Sequence, residues 1–133
     1  MNLDADSGSS GLRQWRFGVA LPLDDGLSLR ASASGFETEG LRPQSAARRL
    51  LANARLGWQS EADRVVLVFN GIQQPADDPL GLARAQLDAD PDQTASQATQ
   101  FDTRKNTRQT QAGVQWQHRV ANAGALQRGT LVL

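Results

Sequence analysis

Few residues in this chain have the types and spacing that chemistry requires. Asp88, Asp90 and Asp92 stand at i, i+2 and i+4, like the first ligands of a calcium loop. Such a loop needs glycine at its sixth position and a bidentate glutamate at its twelfth. Gln93 and Thr99 stand there instead, and Pro91 interrupts the turn. A solvated acidic loop is the simpler reading. His118, the single histidine, has no acid at a spacing that would make it a general base. Gly8-Ser9-Ser10-Gly11 reads as a linker rather than a phosphate loop or a nucleophile elbow. With no cysteine, disulfides and thiolate metal sites are excluded. No catalytic residue, metal or cofactor is therefore expected, and the chain does not read as an enzyme.

Composition narrows the remaining classes. At 133 residues a single domain is expected, and 14 basic against 14 acidic residues leave a formal net charge of +0. That balance carries no electrostatic footprint for nucleic acid and no polybasic membrane patch. No segment approaches the roughly 18 consecutive apolar residues of a membrane helix. Spanning β-strands remain open, because only alternate residues of such a strand meet lipid. The first residues, Met1-Asn2-Leu3-Asp4-Ala5-Asp6, lack the basic and apolar regions of a secretory signal.

The positioning elements read as strands. Residues 1–11 are polar and Gly/Ser-rich, and a flexible lead-in is expected there. From Leu12 the pattern has period two, with Trp15, Phe17, Val19 and Leu21 on one face and Gln14, Arg16, Gly18 and Ala20 on the other. Asp24-Asp25-Gly26 is a tight-turn signal. Leu27, Leu29, Ala31 and Ala33 form the return strand, which frays near Glu37 into a loop reaching about Arg48. Leu50, Ala52, Ala54, Leu56 and Trp58 continue the alternation. Alanine content makes a helix a rival over 46–56, but the period favours a strand. After a turn at Ser60–Asp63, Val65 to Ile72 is a β-branched strand. A long interruption at about 75–105 carries a short helix near Leu82–Asp88. Thr110 to His118 alternate again, Ala121-Asn122-Ala123-Gly124 is a third short turn, and a sixth strand begins at about 125.

These elements predict an all-β fold, an antiparallel up-and-down meander of about six strands. Short turns alternate with long connections, so one rim carries tight turns and the other extended loops. Trp58 and Trp116 precede short turns, and Trp15 lies at the opposite end of its strand. That placement suits aromatic girdles at the two interfaces of a lipid band. It suits equally a soluble sandwich or small barrel with Trp and Leu turned inward, binding a partner or small ligand.

A resemblance tips this balance. The segment Gln73-Gln74-Pro75-Ala76-Asp77-Asp78-Pro79-Leu80-Gly81-Leu82-Ala83-Arg84-Ala85-Gln86-Leu87 resembles a stretch of siderophore-type TonB-dependent outer-membrane receptors, where a barrel strand opens into an extracellular loop. The similarity continues through Asp90-Pro91-Asp92-Gln93, Phe101-Asp102-Thr103-Arg104-Lys105 and Gln109-Thr110-Gln111-Ala112-Gly113. Upstream, Ser34-Gly35-Phe36-Glu37-Thr38-Glu39-Gly40-Leu41-Arg42 and Asn53-Ala54-Arg55-Leu56-Gly57-Trp58 are similar to family segments in the same order. Leu41 departs from the aromatic usual in the family.

The resemblance implies that residues 12–133 are the first strands of an incomplete transmembrane β-barrel, and that the chain is a fragment of the receptor. It implies an outer-membrane location and uptake of a ferric siderophore or similar nutrient, powered by the TonB complex. Such barrels have about 22 strands. About six cannot close, so transport by this chain alone is not expected. Arg42, Arg48, Arg84 and Arg104, expected in the long loops, become candidates for meeting the anionic groups of the ligand. Trp15, Trp58 and Trp116 become candidate membrane-interface aromatics. Arg16, Arg30 and Arg55 would face the lumen.

Overall fold

A computed structural model of the chain describes residues 1–23, 25–122 and 125–132. Seven antiparallel strands form one up-and-down sheet: β1 (Asn2–Ser7), β2 (Arg13–Pro22), β3 (Leu27–Thr38), β4 (Ala47–Gln59), β5 (Asp63–Asp77), β6 (Arg104–Asn122) and β7 (Ala125–Val132). Each pairs only with its neighbours in sequence, and β1 and β7 are the two edges. The sheet is not closed. Two short helices, α1 (Arg84–Ala89) and α2 (Ser96–Phe101), lie in the β5–β6 connection.

The strand count is seven rather than about six because the expected lead-in is itself a strand. Leu3 and Ala5 alternate with Asp4 and Asp6, and Leu3 pairs with Phe17 and Ala5 with Trp15. Gly8 to Leu12 turn the chain, with the Leu12 N–H donating to Ser9 O at 3.1 Å. Six polar-looking residues form a strand because β2 supplies a ladder along one edge, a tertiary gain that outweighs composition. The same gain decides β4. Its backbone is hydrogen-bonded on both sides, to β3 and β5, across the alanine-rich stretch where a helix was the rival. Strand β3 ends where expected, at Thr38, whereas β5 runs past its expected end and β4 and β6 begin before their expected starts. Pro75 lies within β5, and its missing N–H leaves a mark: the β4–β5 pairing skips Arg48 and Arg49 before resuming at Ala47 with Ala76. The expected turn residues Asp24, Ala123 and Gly124 lie outside the described residues, as does Leu133. Gly26 has φ of 75°, which suits the tight β2–β3 turn.

The short-turn rim is as expected where it is described, with 60–62 joining β4 to β5. The other rim carries 8–12, 39–46 and 78–103, so it holds one compact turn beside two longer loops. Burial is sparse. Val66, Ala95 and Ala98 are the buried hydrophobic side chains among the described residues, and two of the three belong to the long loop, not the sheet. The accessible surface is 9901 Å². A compact protein of 14.4 kDa exposes about 6800 Å². The excess, roughly 3000 Å², is sheet that no second layer covers.

Candidate functional site

Strand register assembles one continuous apolar face. Leu29, Leu56, Leu67 and Val114 form one row across the sheet, and Val19, Ala31, Ala54, Phe69 and Ala112 form the next. The row nearest the short turns holds Leu27, Trp58, Val65, Trp116 and Leu131. The row nearest the long loops holds Trp15, Gly35, Leu50, Gln73 and Arg108. The three indoles thus share a face, and they remain 41%, 40% and 44% exposed for Trp15, Trp58 and Trp116. No core gathers them. On β4 the two Trp rows are eight residues apart, Leu50 to Trp58, or about 26 Å along the strand. With the tilt usual in membrane barrels the height is about 20 Å, near the apolar band of about 25 Å.

Trp15 is held by the absence of a neighbour's side chain. Gly35 lies opposite it, and a Cβ there would collide with the indole Nε1. Trp116 is held by a donor: its Nε1 hydrogen-bonds Asp63 Oδ1 at 2.8 Å, and His118 Nδ1 lies 2.8 Å from the same oxygen. The histidine that offered no base chemistry in sequence therefore has a partner acid after all, across the β5–β6 ladder. Both groups stand on a rim beside an indole. The pair serves to orient that indole.

The opposite face is mostly polar, with an apolar stripe of Leu51, Val66, Val68 and Ile72. Arg16, Arg30 and Arg55 project there with Ser32, Asn53 and Asn70, as the alternation predicted. Arg30 and Arg55 are direct cross-strand partners.

The four loop arginines are not brought together as one cluster. Arg48 and Arg104 are strand residues, a correction to their expected loop positions, because β4 starts at Ala47 and β6 at Arg104. Arg48 meets Glu37 at 3.2 Å, and Arg104 meets Asp102 at 2.6 Å and Asp77 at 3.7 Å. Arg84 opens α1 and pairs with Asp88 one turn on, at 3.1 Å. Arg42 remains in the 39–46 loop and reaches Gln93 O at 3.5 Å. Each therefore has an internal partner that an anionic ligand would have to displace. The acidic trio is likewise dispersed: Asp88 faces Arg84, and Asp90 Oδ1 accepts the Asp92 N–H.

The two longer loops are joined instead by polar contacts that sequence did not foretell. Gln44 Nε2 donates to Asp102 Oδ1 at 2.8 Å, and Thr94 Oγ1 donates to Pro43 O. Hydrogen bonds from Gln44 and then Arg104 hold the Asp102 carboxyl below the usual carboxylate range. At the loop's neck Asp78 N–H donates to Thr103 O at 2.9 Å, and Thr103 Oγ1 returns a bond to Asp78 O. Ala98 is wholly buried beneath.

No family model matches the chain. Its function must be argued from the two-faced sheet and from the sequence resemblance. None of the helices among the described residues is long and apolar enough to cross a membrane.

Proposed function

We propose that this chain is a wall segment of a transmembrane β-barrel, from a TonB-dependent outer-membrane receptor that takes up ferric siderophores or similar large nutrients. The observation that carries the membrane part is the apolar face itself. Leu67, Phe69 and Val114 are exposed at its centre, and no helix or second sheet among the described residues covers it. A water-facing sheet would leave this area uncompensated, at about 25 cal/mol per Å². Hydrocarbon removes that cost, and the mostly polar opposite face then lines an aqueous interior. Indoles at both ends of the apolar band and longer loops on one rim agree with the same reading. The receptor family, its ligand and the TonB complex rest on the sequence resemblance.

Seven strands with two open edges form no closed pore, since single-chain barrels need roughly eight or more. Transport therefore belongs to a complete barrel and not to this segment. The rival, a soluble β domain with a ligand or partner, requires a core holding Trp15, Trp58 and Trp116. Their exposure on one face speaks against it.

The test is refolding from urea into plain buffer and into phosphatidylcholine vesicles, followed by far-ultraviolet circular dichroism and tryptophan quenching with brominated acyl chains. Sheet signal that depends on lipid, with indole quenching, is expected. A folded, compact monomer in buffer with unquenched indoles in vesicles would overturn the proposal.

A further inference from the structure

The apolar face is not symmetric in charge. Beyond Trp15, on the same face, the next row pairs Arg13 with Glu37 and Glu37 with Arg48, so one carboxylate stands between two guanidinium groups. Arg108 ends the Trp15 row itself, opposite Gln73. Arg104 is balanced by Asp77 and Asp102. At the other end, beyond Trp58 and Trp116, the ionisable side chains of this face among the described strand residues are Asp63 and His118. Among the described strand residues, the hydrocarbon band would therefore be bounded on the long-loop side by arginines in excess of their carboxylates, and on the other side by none.

We infer that Arg13, Arg48 and Arg108 bind the phosphates of net-anionic lipid headgroups in the leaflet at the long-loop rim. This rests on the membrane reading above. Planar guanidinium groups match phosphate oxygens in a bidentate way. Arg13 and Arg48 line one open groove with Trp15 and Leu50, so an acyl chain against the indole would carry its headgroup to them. Residue 13 is two positions from residue 15 along β2, about 7 Å beyond the edge of the apolar band, where headgroups lie. The Arg48–Glu37 pair does not block this role. Both side chains are more than half or half exposed, and an ion pair so wet is easily exchanged for phosphate.

The experiment compares partition of the full chain onto vesicles of phosphatidylcholine alone and onto vesicles with about one-third phosphatidylglycerol, each with brominated-chain quenching. A preference for the anionic vesicles is expected, shrinking as salt is raised. Each arginine near the surface is worth about fivefold in partition. The double variant Arg13→Gln/Arg108→Gln should therefore lose about twenty-five-fold of the preference, while Arg13→Lys/Arg108→Lys keeps most of it. Arg16→Gln, on the polar face, should leave it unchanged. Equal quenching in both vesicle types, untouched by the double variant, would overturn the headgroup site and leave the membrane reading standing. Absence of quenching in either would remove both. Inorganic phosphate at matched concentration erasing the preference in the wild type, while salt of equal ionic strength does not, would assign the arginines to a free anion and overturn the lipid proposal.

Discussion

Ala112 and Gln111 are neighbours on β6 and project to opposite faces, so on the proposed membrane reading the same substitution at each separates hydrocarbon from water. Ala112 opposes Phe69 in the middle row of the apolar face, four residues from Trp116 and four from Arg108. An arginine there would have to carry its charge about 13 Å along the strand to reach either end, farther than its side chain extends. Arginine at the midplane of a lipid-facing barrel wall costs about 2–4 kcal/mol. Ala112→Arg should therefore lower the folding constant in phosphatidylcholine vesicles by about 30- to 700-fold. Gln111→Arg stays on the wet face and should remain within about 0.5 kcal/mol of the parent. Both side chains are exposed, so neither change creates a cavity or a clash that would confuse the comparison. Urea titration of the vesicle-folded chain, followed by indole emission, measures both. Equal costs for the two variants would refute the claim that one face is built for lipid.

Three further outcomes follow from particular contacts. Gly35→Ala places a methyl against the Trp15 indole, so in a Trp58→Phe/Trp116→Phe background the emission should shift as the ring moves, with an overpacking cost of about 1–3 kcal/mol; unchanged emission would contradict the contact. Ala98→Leu overfills the buried site in the 78–103 loop, at a similar cost of about 1–3 kcal/mol, and should expose that loop to limited proteolysis while the sheet signal persists. The lowered Asp102 carboxyl strengthens the loop contact at pH values above ordinary carboxylate titration, and this contribution is lost as pH falls through the lowered value. Amide protection at Asp78 and Thr103, taken relative to intrinsic exchange at each pH, should thus persist through mild acid and fall only in strong acid, and a loss of protection already in mild acid would count against that contact.

Period-two alternation made most of the sheet legible, because a strand with two environments writes its facing directly into the residue order. Trp15, Phe17 and Val19, and again Leu56 and Trp58, lie on the face the alternation assigned them. What escaped was held by partners rather than by pattern. Asn2–Ser7 has little apolar content, and β2 makes it a strand. Arg48 and Arg104 read as loop residues because a proline and a polar run stand near them, yet the ladders extend past both. The second helix and the Gln44–Asp102 contact rest on single hydrogen bonds and on alanine burial, which leave no periodic trace. Arg13 and Arg108 were in principle readable. They share the parity of the apolar sets on their own strands, and that parity alone places them at the edge of the apolar face.

Stitching between the 39–46 and 78–103 loops has a mechanical consequence. Their feet stand on β3, β4, β5 and β6, so the bonded pair acts as a brace across the upper ends of four adjacent strands. On the short-turn rim, among the described residues, each connection is tied to the next strand by a single backbone bond, Gln59 N–H to Gly26 O at 3.1 Å and Arg119 N–H to Ala62 O at 2.8 Å. Bending of this wall would then be stiff along one margin and compliant along the other, so that it flexes like a fan held at its fixed end.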